Sequence, residues 1–114
     1  MILLGFTTGN NYLDSGLENY LFHGLQPGGF LTALIVDDLQ DARTRADVWN
    51  SKNIKNIYSV LFRRMPKESV GSREKYNDWL NDKDNRRTNY RTKVEKERML
   101  ERLSSNPRDV LRFR

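Results

Sequence analysis

The sequence predicts an all-α protein: a small bundle of four to five short helices followed by a basic, helical C-terminal extension. Three observations predict it. Residues that cap and stop helices punctuate the chain at helix-length intervals. Between them apolar residues recur at three- and four-residue spacing, most clearly at Ile54, Ile57, Tyr58, Leu61 and Phe62. After Asp82 the apolar residues thin out and charge takes over, although a narrow helical stripe persists.

Residues 1–14, MILLGFTTGNNYLD, mix apolar and turn-forming types and read as an arm lying extended over the body. The body, 15–82, opens with Ser15-Gly16-Leu17-Glu18. This is a capping-box arrangement, in which the serine hydroxyl accepts an amide and the glutamate reaches back. Leu17, Tyr20 and Leu21 then share a face. Gly24 falls where a left-handed residue closes a helix, with Leu25 available for the hydrophobic contact and Pro27 preventing continuation. Phe30 to Val36 is apolar nearly all round, which reads as a buried helix of about two turns. A buried strand is the alternative, because short apolar runs do not separate the two.

Asp37 or Asp38 caps the next helix, which carries Leu39, Ala42, Ala46 and Trp49 at near-helical spacing. Asn50 or Ser51 caps the amphipathic helix through Phe62, and Pro66 ends it. Ser69-Val70-Gly71-Ser72 forms a turn, and Ser72 caps a short helix bearing Tyr76, Trp79 and Leu80. The extension, 83–114, carries a helix over 86–104 that needs a surface to dock on, with Tyr90, Val94, Met99 and Leu103 as its stripe. Ser104, Ser105, Asn106 and Pro107 stop it.

At 114 residues the chain fits one domain. It has no cysteine, which excludes disulfides and thiol chemistry. No apolar run approaches the ~18 residues of a membrane span, and the N-terminus lacks the basic region of a secretory leader. A soluble, intracellular protein is expected. The net charge of +5 is unevenly spread. Residues 1–82 hold nine Lys/Arg and ten Asp/Glu, whereas residues 83–114 hold eleven and five. An anionic partner would therefore be met by the C-terminal quarter.

Four constellations could carry chemistry. His23, the one histidine, could act as an acid or base only beside a nucleophile or carboxylate; in the last turn of a helix it suits the exposed carbonyls. Asp37, Asp38 and Asp41 could hold Mg²⁺ if Asp37 and Asp41 share a helix face, yet acids also suit a cap and first turn. Pro27-Gly28-Gly29 leaves amides that could bind an anion, but no lysine or arginine precedes residue 43 and no phosphate-loop pattern is present. The glycines more simply allow a sharp turn and close helix packing. Neither a catalytic residue, a metal nor a cofactor is assigned.

The fourth is the basic run. Arg86, Arg87, Arg91, Lys93, Lys96, Arg98 and Arg102, with Tyr90 among them, make an anion-binding surface in which the ring could stack on a base. Glu95, Glu97 and Glu101 interrupt it, as in a solvated charged helix. Arg108, Arg112, Phe113 and Arg114 form a second candidate, a short peptide that inserts into a partner's groove.

Residues 19–80 resemble a group of small proteins of tailed bacteriophages and prophages. The resemblance rests on His23-Gly24, Pro27-Gly28-Gly29-Phe30-Leu31, Asp38-Leu39, Ala42, Arg45-Ala46-Asp47, Pro66, Gly71-Ser72 and Trp79. It implies a phage origin and a compact helical body, and it transfers no catalytic residue. Arg45 and Asp47 are expected to fix helix packing through charge-assisted bonds. The expectation is a non-enzymatic accessory protein acting in the cytoplasm of the infected host, or in the virion. It would bind a host or phage protein, including a defence or transcription factor by analogy with other small phage proteins. The alternative is nucleic-acid binding through residues 83–114 in a phage nucleoprotein or virion complex. No membrane association is expected.

Overall fold

In a computed structural model, which describes residues 3–104, six α-helices follow one another. They are α1 (Asn11–His23), α2 (Gly29–Ile35), α3 (Leu39–Arg45), α4 (Val48–Arg64), α5 (Arg73–Leu80) and α6 (Arg86–Ser104). Tight 3-10 turns at Lys67–Ser69 and Lys83–Asn85 precede α5 and α6. The described residues contain no strand, so the apolar run from Phe30 is a helix. The class is all-α, with six α-helices where the sequence suggested four to five and an extension.

The start of α1 differs from expectation. Asn10 caps it, its side-chain oxygen accepting from the amides of Tyr12 at 2.9 Å and Leu13 at 3.4 Å. Asparagine caps as well as serine, and the earlier start adds a turn that buries Leu13 and Asp14. Glu18 is thereby released from capping. Its carboxylate accepts from the amides of Leu3 and Leu4 at 3.3 and 3.2 Å. Asp14, 3% exposed, accepts from the Thr8 amide at 2.8 Å and from the hydroxyls of Thr7 and Thr8. Two carboxylates one turn apart on α1 thus pin the arm and hold Leu4 in the core.

The far end of α1 closes as the sequence suggests. Gly24 takes the left-handed conformation (φ 65°), and the amide of Leu25 donates to the Asn19 carbonyl at 3.1 Å. The Leu25 side chain, however, stays exposed instead of covering the helix end. Asp38 caps α3 by accepting the Asp41 amide at 3.1 Å. Extended backbone at Ala46 ends that helix, and Asp47, not Asn50 or Ser51, caps α4 by accepting the Asn50 amide at 2.7 Å. Trp49 therefore belongs to the first turn of α4 and does not extend the Leu39–Ala42 face.

The core lies where α1, α2, α4 and α5 meet. Leu17, Tyr20 and Leu21 of α1, Leu34 and Ile35 of α2, Ile57 and Leu61 of α4, and Trp79 of α5 are all sealed from solvent. The link from α4 to α5 threads through this core. The Tyr20 hydroxyl donates to the Ser69 carbonyl at 2.8 Å, and the Gly71 amide donates to the Ile35 carbonyl at 2.7 Å. Burial pushes the Tyr20 phenol far above its usual range, with Tyr76 adding to the effect.

Residues 86–104 find the docking surface they need within their own chain. Tyr90 and Val94 are half-buried against the core, and Tyr90 stacks on Phe22 with ring centroids 5.3 Å apart. Asp82 in left-handed backbone (φ 52°) turns the chain into α6 and accepts the Thr88 amide at 2.9 Å as well as its hydroxyl. That first hydrogen-bonded pair holds the Asp82 carboxyl below the usual range, the Thr88 hydroxyl contributing most.

Candidate binding surface

The basic residues of α6 divide into two sets by the face they occupy. Arg87, Tyr90, Arg91, Val94 and Arg98 recur at helical spacing and turn toward the body. Arg87 donates to the carbonyls of Trp79 at 3.1 Å and Leu80 at 3.4 Å, at the end of α5. Arg91 donates to the Phe22 carbonyl at 3.2 Å, in the last turn of α1. Arg98 donates to the Leu3 carbonyl at 3.4 Å. Helix ends leave carbonyls without intrahelical donors, and a guanidinium satisfies them with a charge that suits the dipole. These arginines hold the fold together.

Tyr90 was expected to offer its ring to a base. It is instead half-buried, with one face stacked on Phe22 and Trp79 in a T-shaped contact at 5.7 Å. Burial raises its phenol above the usual range, Glu97 adds to this, and Arg98 and Arg64 oppose it.

The second set faces outward. Lys93 and Lys96 are exposed and make no ion pair among the described residues. Arg102 is exposed in the last turn. Met99, Leu100 and Leu103 remain 53%, 63% and 61% exposed, close together on the helix surface. Arg86 stands between the sets, 3.7 Å from Asp78 and 3.6 Å from Asp84. Arg108, Arg112, Phe113 and Arg114 lie outside the described residues.

Alongside α6 runs a cleft of about 470 Å³ lined by Arg64, Met65, Pro66 and Glu68 on one side and Arg86, Asn89, Tyr90 and Lys93 on the other. Trp79 forms part of its lining, and its buried indole N–H has no acceptor among the described residues. A second cleft of about 300 Å³ shares Arg64 and Tyr90 with the first and continues past Phe6, Glu97 and Glu101. Arg64 is held at this junction by donating to the Gly5 carbonyl at 3.0 Å and lying 5.4 Å over the Phe6 ring. Sequence reading missed Arg64 and Glu68 because nothing local connects the end of α4 with α6. The adjacent pair Arg63-Arg64 in a last helical turn is also what dipole complementarity alone would place there.

The other constellations resolve structurally. His23 is exposed at the end of α1, with its Nδ1 3.2 Å from an Arg91 nitrogen. Asp37 lies outside α3 in left-handed backbone and accepts the Tyr58 hydroxyl at 2.9 Å, which pushes that phenol above its usual range. Asp41 pairs with Arg45 at 2.9 Å. The two carboxylates therefore do not share a helix face, and among the described residues no His/Asp/Glu group is arranged to hold a metal ion.

The glycine motif acquires two partners that the sequence hides. A Cβ on Gly24 would come within 2.5 Å of the Arg87 guanidinium carbon, and one on Gly29 within 2.7 Å of an Arg45 nitrogen. Arg45 thus packs over the start of α2, so a cation does reach Gly29 despite its distance along the chain. Asp47 serves as the cap of α4. Among the described residues no helix is long and apolar enough to cross a membrane. Comparison with family models, with curated proteins and with solved structures returned no match to this chain.

Proposed function

We propose that this is a non-enzymatic bacteriophage accessory protein that captures a protein partner, of host or phage origin, through the outward face of α6. The observation that carries the reading is the exposure of Met99, Leu100 and Leu103 beside Lys93 and Lys96, which make no ion pair among the described residues. Burying an apolar side chain of this size against a partner yields about 1.5–3 kcal/mol, and flanking charges set orientation. Nucleic-acid binding has less to draw on. Arg87, Arg91 and Arg98 are engaged with backbone carbonyls, and Tyr90 is half-buried with a ring face stacked on Phe22.

The test is affinity capture from infected cells with and without nuclease, using the native chain and a Leu100→Lys/Leu103→Glu variant. Both positions are exposed, so the variant should keep its helical circular dichroism. Nuclease-resistant capture of one protein by the native chain, lost in the variant, is expected. Capture abolished by nuclease, or unchanged in the variant, would overturn the reading.

A further inference from the structure

Two clefts along α6 have Arg64 and Tyr90 in common and so adjoin, and the pair is termed the groove. From Arg86 to Glu101 the helix rises about 22 Å, the length of an extended segment of about seven residues. The groove is electrically lopsided. Its wider half carries Arg64, Arg86 and Lys93 against the single carboxylate of Glu68. Its narrower half balances Arg64 and Arg98 with Glu97 and Glu101, and Arg98 already meets Glu101 at 3.2 Å. Asp78 and Asp84 flank Arg86 at 3.7 and 3.6 Å, at the long end of ion-pair contact. The positive charge without an ion pair among the described residues is therefore that of Arg64 and Lys93.

We infer that this groove takes an extended, acidic peptide segment of the partner protein, its carboxylates lying between Arg64, Arg86 and Lys93. The inference rests on the protein-binding reading above and names the chemistry of the partner. Charge complementarity selects the occupant and its direction: the acidic end lies toward Arg86, and neutral or basic residues follow toward Glu97 and Glu101. A nucleic-acid strand fits less well. Trp79 is 1% exposed, and Tyr90 is half-buried with a ring face already stacked on Phe22, which leaves little aromatic surface for a base. Glu68, Glu97 and Glu101 would also stand against a continuous run of phosphates. The surface along Asn89, Lys93, Lys96 and Leu100 adjoins the groove through Asn89 and Lys93, so one partner can engage both.

The protein has two tryptophans, and Trp49 does not line the groove, so a Trp49→Phe chain makes Trp79 the sole emitter at its floor. This chain is titrated with a heptapeptide of three Asp or Glu residues followed by four neutral ones, with its Asn/Gln counterpart, with an oligothymidylate and with inorganic phosphate. Saturable change of Trp79 emission is expected with the acidic peptide, at about tenfold lower concentration than with the amide counterpart. A Lys93→Glu substitution should weaken it about tenfold further, with unchanged circular dichroism. Equal response to the two peptides, tighter binding of the oligothymidylate, or indifference to Lys93→Glu would overturn the inference. Partner capture that survives Lys93→Glu but is lost in Leu100→Lys/Leu103→Glu would overturn the groove while leaving the α6 face in place.

Discussion

The ring of Tyr90 lies on that of Phe22, centroids 5.3 Å apart and planes 19° from parallel. This contact joins the last helix to the first across most of the chain. It makes one face of a strongly charged helix part of the core, because Tyr90 and Val94 pack against the body. A helix of such composition is marginal alone in water and draws its stability from packing.

Tyr90→Ala should therefore lower the unfolding free energy by about 2–3 kcal/mol, the lower range for loss of a large ring that is only half-buried. A double-mutant cycle with Phe22→Leu should return a coupling of about 1 kcal/mol, read from urea unfolding followed by circular dichroism. Additivity within error would mean that the stacked geometry contributes nothing beyond burial. A chain ending at Asp82 should lose its cooperative transition.

Gly24 faces two demands at once, a left-handed backbone and the guanidinium of Arg87 above it. Gly24→Ala should cost about 1–2 kcal/mol for the backbone alone, with more from displacing Arg87. Removing the arginine relieves only the second part. The pair Gly24→Ala/Arg87→Ala should thus be less destabilised than the sum of the single changes, as measured by thermal unfolding. A strictly additive pair would show that Arg87 moves aside freely.

Acid should loosen the start of α6 through Asp82. Its folded carboxyl titrates below the unfolded value, chiefly because the Thr88 hydroxyl donates to it. The stabilisation is complete above the unfolded value near pH 4 and is lost as pH falls through the folded one. Asp82→Asn should accordingly be less stable than the native chain at neutral pH, with the two converging below about pH 4. Parallel stability curves down to acid would contradict this.

The arm offers a local readout. Glu18→Ala should speed hydrogen exchange of the Leu3 and Leu4 amides by about tenfold, since each loses a charged acceptor. Asp14→Ala should expose the Thr7-Thr8 bond to limited proteolysis while α2 to α5 keep their protection. Unchanged exchange at Leu3 and Leu4 would mean that burial of Leu4, not Glu18, holds the arm.

The chain carries its local features openly in its sequence and its long-range contacts only implicitly. The helix over 86–104, the left-handed close at Gly24 and the cap at Ser72 were legible, because each depends on neighbours within a turn. The starts of α1 and α4 were displaced by a few residues. Asn10 and Asp47 are also good caps, and local chemistry does not rank one competent cap above another a few residues away. The break expected after Trp49 and found before it, at Ala46-Asp47, belongs to the same class of ambiguity.

By itself, then, the sequence determined a helical chain, its turn punctuation and the crowding of positive charge at its C-terminal end. These follow from local backbone chemistry and composition. Only the tertiary structure decided what that charge does. Arg87, Arg91 and Arg98 satisfy carbonyls far away in the chain, Glu18 holds the arm instead of capping its own helix, and Arg64 meets Lys93 across a groove. A long flexible cation serves a helix end, an ion pair or a ligand equally well. Which one it serves depends on the three-dimensional position of its acceptor, and packing of the core sets that position.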